Sequence, residues 1–178
     1  SRAAGRVDGD DGDAPSSAAF RGVTASKAEQ VRRLLETAAA RLPLHAIRRV
    51  VDVGAGKGHL TAGLAALVGA PALAVDSDAS LLRVGARLYP SVAFSCEAVG
   101  DAASLAAQLR AGDLVVGLHP CGALGEALVA ACAAHGGAHC LFVPCCHHKQ
   151  GVAARAPLSR AARAASAAAL PVGALKKA

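Results

Sequence analysis

The sequence predicts an α/β fold, a parallel sheet with helices on both faces. Three observations point there. Five short β-branched runs alternate with Ala/Leu-rich segments, a glycine-rich turn joins the first run to the segment after it, and 53% of the 178 residues are hydrophobic. Such alternation specifies βαβ crossovers, and this length and composition suit one domain with a buried core.

The elements follow in order. Residues 1–22, rich in Gly, Asp, Ser and Ala without apolar periodicity, read as a disordered arm. "SKAEQVRRLLETAAARL" opens with Ser26 and has Glu29 three positions later, a capping box, then sets Val31, Leu34, Leu35 and Leu42 on a helical stripe. After Pro43 come strands at 48–54, 72–76, 92–97, 113–119 and 138–145, with helices in the four intervals. The core is expected over 23–150. The Ala-rich end, 151–178, is expected to form one more helix between Pro157 and Pro171, with no further strands.

Composition narrows the function classes. With three Phe, one Tyr and no Trp, platforms for stacking single-stranded bases are nearly absent. The longest stretch free of Asp, Glu, Lys, Arg and His, 60–75, is too short to span a bilayer and is broken by Pro71, so no membrane role is expected. Nor does the N-terminal stretch have the apolar centre of a secretory signal. The chain starts at Ser1 and contains no Met, which fits a processed chain or a fragment. Six cysteines, two of them vicinal, do not form a disulfide-framework pattern, and this favours an intracellular setting, cytoplasmic or nuclear, with an organelle also open.

The net charge is +6, but four Asp against Arg2 and Arg6 in residues 1–20 leave the remainder at +8. Residues 149–178 hold Lys149, Arg155, Arg160, Arg163, Lys176 and Lys177 with no acid. That suits a phosphate-bearing partner, although a solvated basic helix face is the simpler account.

The turn in "VVDVGAGKGHL" (50–60) decides the ligand class. A phosphate loop needs Gly at 51 and Ser or Thr after the Lys, where Val51 and Gly58 stand. A dinucleotide fingerprint from Gly54 needs Gly at 59, where His59 stands. What remains is D-x-G-x-G-x-G, with Asp52, Gly54, Gly56, Lys57 and Gly58. This suits a ligand without a pyrophosphate but with an ammonium, which Asp52 would hold directly or through water. S-adenosyl-L-methionine is such a ligand. Asp76, at the end of "AVDSD", is placed to accept the ribose hydroxyls, whereas Asp78 is expected to cap the next helix. Near the adenine the choice stays open among Cys96, Glu97 and Asp101, with Glu97 taken as the contact.

Two further segments, "GLHPCG" (117–122) and "VPCCHHKQ" (143–150), end the fourth and fifth strands. In an open parallel sheet with a switch point after the first strand, these ends lie at the same edge as the glycine loop. His119 is expected to orient or deprotonate the acceptor, with Cys121, Cys145 and His147 shaping its pocket. No metal is expected: there is no C-x-x-C, and vicinal residues on an extended strand point to opposite sides, which keeps Cys145 and Cys146 apart. Nucleophilic cysteine catalysis by Cys121 or Cys145 is a further alternative.

In this order, "VDVGAGKGHL", "AVDSD", "GLHPCG" and "VPCCHHKQ" resemble the eukaryotic methyltransferase-like proteins with H-x-C-G and C-C-x-H motifs. They are also similar to the tRNA 2′-O-methyltransferases carrying C-C-H-H. "APLSR" (156–160) is similar to a P-L-S element of the first group. The resemblance spans about 26–160. It implies a Rossmann-like class I methyltransferase, a three-layer sandwich with sheet order 3-2-1-4-5 whose terminal strands are absent here. It further implies methyl transfer from S-adenosylmethionine, with RNA (tRNA) as the acceptor class that the basic end favours. It places the cofactor loop on Asp52, Gly54, Gly56, Lys57 and Gly58, the ribose acid on Asp76, and the motif residues on His119, Cys121, Gly122, Cys145, Cys146, His147 and His148. Two rivals carry no chemistry: an adaptor that keeps the cofactor fold, and a zinc-stabilised binding module.

Overall fold

A computed structural model of the chain describes residues 23–146, 154–155, 160–165 and 170–171. The arm expected over 1–22 lies outside the described residues, as does His147. The elements are helix α1 (Ala25–Arg41), a 3₁₀ turn (Leu44–Ala46), strand β1 (Arg49–Val53), α2 (His59–Val68), β2 (Ala72–Asp76), α3 (Ala79–Leu88), β3 (Ala93–Cys96), α4 (Ala102–Gln108), β4 (Asp113–Cys121), α5 (Ala123–His135) and β5 (His139–Cys145). β1 to β5 form one parallel sheet in the order β3-β2-β1-β4-β5. This is the order expected, with every main strand within two residues of its expected bounds.

The alternation of side chains along the strands builds two cores. Val50 of β1, Ala72 and Ala74 of β2, and Leu114 and Val116 of β4 pack with Val31, Leu34 and Leu35 of α1 and Leu60 and Leu64 of α2. On the opposite face, Val51, Val53 and Val115 meet Leu105 of α4 and Leu128, Ala131 and Cys132 of α5. The inner strands β1 and β4 are thus apolar on both sides, as a parallel sheet between two helical layers requires.

The start of α1 differs from the expected capping box. Thr24 is the N-cap, its hydroxyl accepting from the Lys27 N–H at 3.4 Å, and Ser26 lies inside the helix. Glu29 instead pairs with Arg32 at 2.7 Å and Arg33 at 2.6 Å, which together hold its carboxyl at about 2. Two arginines one turn on compete for the carboxylate that a capping box would need. The tail also differs from a single helix: its described parts are β6 (Ala154–Arg155), α6 (Arg160–Ala165) and β7 (Leu170–Pro171), with β6 and β7 paired antiparallel.

β1 and β4 are fastened at their N-terminal ends by an ion pair. Arg49 reaches Asp113 through Nε at 3.0 Å and a terminal nitrogen at 2.5 Å, while Asp113 is 1% exposed and also accepts from the Arg110 N–H. Arg49→Ala leaves a buried carboxylate without its cation, so stability is expected to fall by about 3–5 kcal/mol in urea unfolding. Replacing both partners with apolar residues of similar volume is expected to recover most of that loss.

Candidate active site

The β1–α2 turn owes its shape to its glycines. Gly54, Gly56 and Gly58 all have positive φ, at 77°, 58° and 74°, a region that costs a residue with a side chain roughly 1–2 kcal/mol. The turn is pinned to the end of β2: Gly54 and Ala55 donate to the Val75 carbonyl at 2.9 and 3.1 Å, and Gly56 donates to Asp76 Oδ2 at 2.8 Å. A fourth glycine holds it from below. A Cβ on Gly85 of α3 would lie 2.7 Å from the Lys57 carbonyl oxygen and 2.6 Å from the Phe94 ring. Gly85→Ala is therefore expected to destabilise the protein by about 1–3 kcal/mol in thermal or urea unfolding and to weaken ligand binding at the turn.

Beside the turn is a cleft of about 170 Å³, lined among others by Val53, Gly54, Asp76, Glu97, Val99 and Leu124. It sits over the C-terminal ends of β1, β2 and β3, next to the point between β1 and β4 where the strand order reverses, the usual ligand position in open α/β sheets. Asp76 and Glu97 thus reach the same cleft as Gly54. The other acids do not. Asp78 caps α3, accepting from the Ser80 and Leu81 N–H groups, as expected. Asp101 caps α4, accepting from Ser104 N–H at 2.8 Å, and is not among the residues lining the cleft. Cys96 lies against the Ser77 carbonyl, Sγ to oxygen 3.7 Å.

Asp52 is buried under the turn, 2% exposed, where one carboxylate oxygen accepts from the Thr61 hydroxyl at 2.6 Å. The other oxygen, Oδ1, is buried and is the one buried side-chain polar atom without a partner among the described residues. Burial raises its pKa to about 6, against the opposing pull of the Thr61 hydroxyl and the Lys27 charge. A buried carboxylate oxygen left open calls for a donor or a cation. Thr61 and Lys27 carried no signal in the sequence, because a hydroxyl nine residues beyond Asp52 and a lysine on a separate helix become neighbours only through the fold. His59, which broke the dinucleotide fingerprint, is buried with Nδ1 2.6 Å from the Tyr89 hydroxyl and the two rings edge to face. Burial, helped by Lys27 and Lys57, pushes its pKa below the ordinary value.

At the adjacent rim, β4 and β5 run in register from Leu114↔His139 to Leu118↔Val143, shift, and rejoin at Cys121↔Cys145. His119 falls in that irregularity with φ 65°, exposed, its Nε2 3.1 Å from Gln30 Oε1 of α1. Cys121 and Cys145 are brought together, Sγ to Sγ 3.1 Å. Contrary to the expectation from strand alternation, Cys146 is not held apart from Cys145. Cys146 lies one residue past the strand at φ 48°, a left-handed turn that breaks the alternation and sets the sulfurs of Cys121, Cys145 and Cys146 all within 4.8 Å of one another. Burial and the neighbouring thiols push Cys145 up to about 12, which does not suit it to act as a nucleophile.

A family model described as a methyltransferase domain matches residues 26–152. The chain belongs to this methyltransferase family. Membership supports S-adenosylmethionine as the cofactor, and the sheet order is that of the class I methyltransferase sandwich. Among solved structures, the 23S rRNA methyltransferase ErmE is 21% identical, with a TM-score of 0.51 over 65% of this chain and 45% of that one. Thermoplasma acidophilum 1320 is 20% identical, with a TM-score of 0.47 over 66% of this chain and 60% of that one. The likeness is one of fold, and the chain spans about half the length of these structures. No curated protein matches the sequence. Among the described residues, no helix is long and apolar enough to cross a membrane.

Proposed function

We propose that this domain transfers a methyl group from S-adenosylmethionine to an oxygen or nitrogen acceptor on RNA. The observation that carries the reading is the open Oδ1 of Asp52 beneath three left-handed glycines, beside a cleft that Asp76 and Glu97 share. That arrangement suits a nucleoside with an ammonium: Asp52 takes the ammonium, directly or through water, Asp76 the ribose hydroxyls and Glu97 the adenine edge. Gly54, Gly56 and Gly58 allow close approach of the backbone, and Lys57 lies within the same turn. When bound, the cofactor supplies a sulfonium methyl for in-line displacement, so positioning contributes most of the rate. His119, at the rim where β4 ends, accepts the proton of the attacking hydroxyl or amine, with Cys121 and Cys145 shaping the acceptor side.

The finer likeness to the eukaryotic methyltransferase-like proteins rests on His119-Pro120-Cys121-Gly122 and Cys145-Cys146-His147-His148. The RNA acceptor draws support from the +8 charge of residues 21–178 and from the ErmE fold likeness. Calorimetry with S-adenosylmethionine and S-adenosylhomocysteine, followed by tritiated-methyl transfer onto RNA, protein and small-molecule fractions, tests the reading. Binding with label on RNA is expected. Binding without transfer to any fraction makes the domain an adaptor, and absence of binding removes the reading altogether.

A further inference from the structure

We propose that Cys121, Cys145 and Cys146 form a three-thiolate site for one zinc-class cation at the rim where β4 and β5 end. Three thiols from two strands and a turn converge within 4.8 Å, the only group of three or more metal-ligating side chains among the described residues. Tetrahedral coordination at about 2.3 Å sets sulfurs roughly 3.8 Å apart, so the 3.1 Å between Cys121 and Cys145 has to open by only about 0.7 Å. Soft thiolates select zinc-class and other soft ions over magnesium or calcium.

A second observation points the same way. Among the described residues, just two non-glycine residues have positive φ: Cys146, a member of this cluster, and His119, two residues before Cys121. A left-handed cysteine costs roughly 1–2 kcal/mol. Here that conformation delivers the third sulfur to the other two. Binding exchanges three thiol protons for one divalent ion, with water or a further side chain in the fourth position. The ion then ties the β4 and β5 ends beyond the register shift, where the ladder alone holds them less well.

The test uses the reduced full chain: metal analysis after purification, then titration with Co2+, whose thiolate charge-transfer band grows with the number of coordinating thiolates. One equivalent per chain and a band typical of three thiolates are expected. Cys121→Ser, Cys145→Ser and Cys146→Ser should each diminish the band and weaken Co2+ binding by at least about 10–100-fold. Cys140→Ser, on β5 but outside the cluster, should leave both unchanged. The proposal is overturned if the wild-type chain, its thiols counted as reduced, gives no band. It is equally overturned if Cys146→Ser leaves the band intact, or if Cys121 and Cys145 are found joined as a disulfide that excludes the ion. None of these readouts depends on methyl transfer, so the site and the proposed function fail separately.

Discussion

His119→Gly is expected to lower methyl transfer by about 10²- to 10⁴-fold while leaving affinity for S-adenosylhomocysteine and the stability of the fold nearly unchanged. The dissociation follows from the backbone. At φ 65°, a side chain costs roughly 1–2 kcal/mol, and glycine removes that cost while adding about 0.5–1 kcal/mol of chain entropy. Unfolding free energy should therefore stay level or rise by about 1 kcal/mol. His119→Asn is the companion variant, since asparagine tolerates the left-handed region and can still meet Gln30, now 3.1 Å from the imidazole. If both variants bind cofactor and transfer at the wild-type rate, His119 takes no part, and its conformation merely follows from the register shift between Leu118 and Cys121. Loss of rate in both, at unchanged affinity, assigns the imidazole to the proton of the acceptor.

Why His119 was legible as a candidate, and its geometry was not, shows where sequence reading stops. The strands were written in runs such as 72–76 and 113–119, and Asp78 announced its helix, because strand burial and caps are local and each depends on a few adjacent residues. The three loop glycines were legible for the same reason: their spacing encodes a backbone conformation directly. The rim was not. The shift between Leu118 and Cys121 arises from pairing with a strand two dozen residues away, and the turn at Cys146 has no glycine or asparagine to signal it. Strict alternation along β5 therefore separated two thiols that the structure joins. Asp52 shows the same limit. Its place in D-x-G-x-G-x-G pointed to an ammonium, but not to a carboxylate shielded from solvent with one oxygen bound to Thr61 and the other open.

That open oxygen makes Asp52 the source of the second large effect, a cofactor affinity that rises with pH through about 6. Burial holds the carboxyl protonated more tightly in the folded chain than in the unfolded one, where it titrates near 3.8. The folded state therefore binds more protons between these two values. The contribution of this group to stability is fully present below pH 4 and declines as pH rises to about 6, by about 3 kcal/mol. An ammonium docked on Oδ1 favours the ionised form and recovers part of that decline, so saturating S-adenosylhomocysteine should flatten the slope. Asp52→Asn removes the titration: its urea-unfolding free energy should lack the pH 4–6 decline, and its cofactor affinity should fall by about 10–150-fold at pH 7.5 and lose its pH dependence. Calorimetry from pH 5 to 8 on both proteins reads these outcomes together. Wild-type affinity that is flat across this range, with Asp52→Asn binding equally well, would place the ammonium elsewhere and leave Asp52 as a strut between β1 and Thr61.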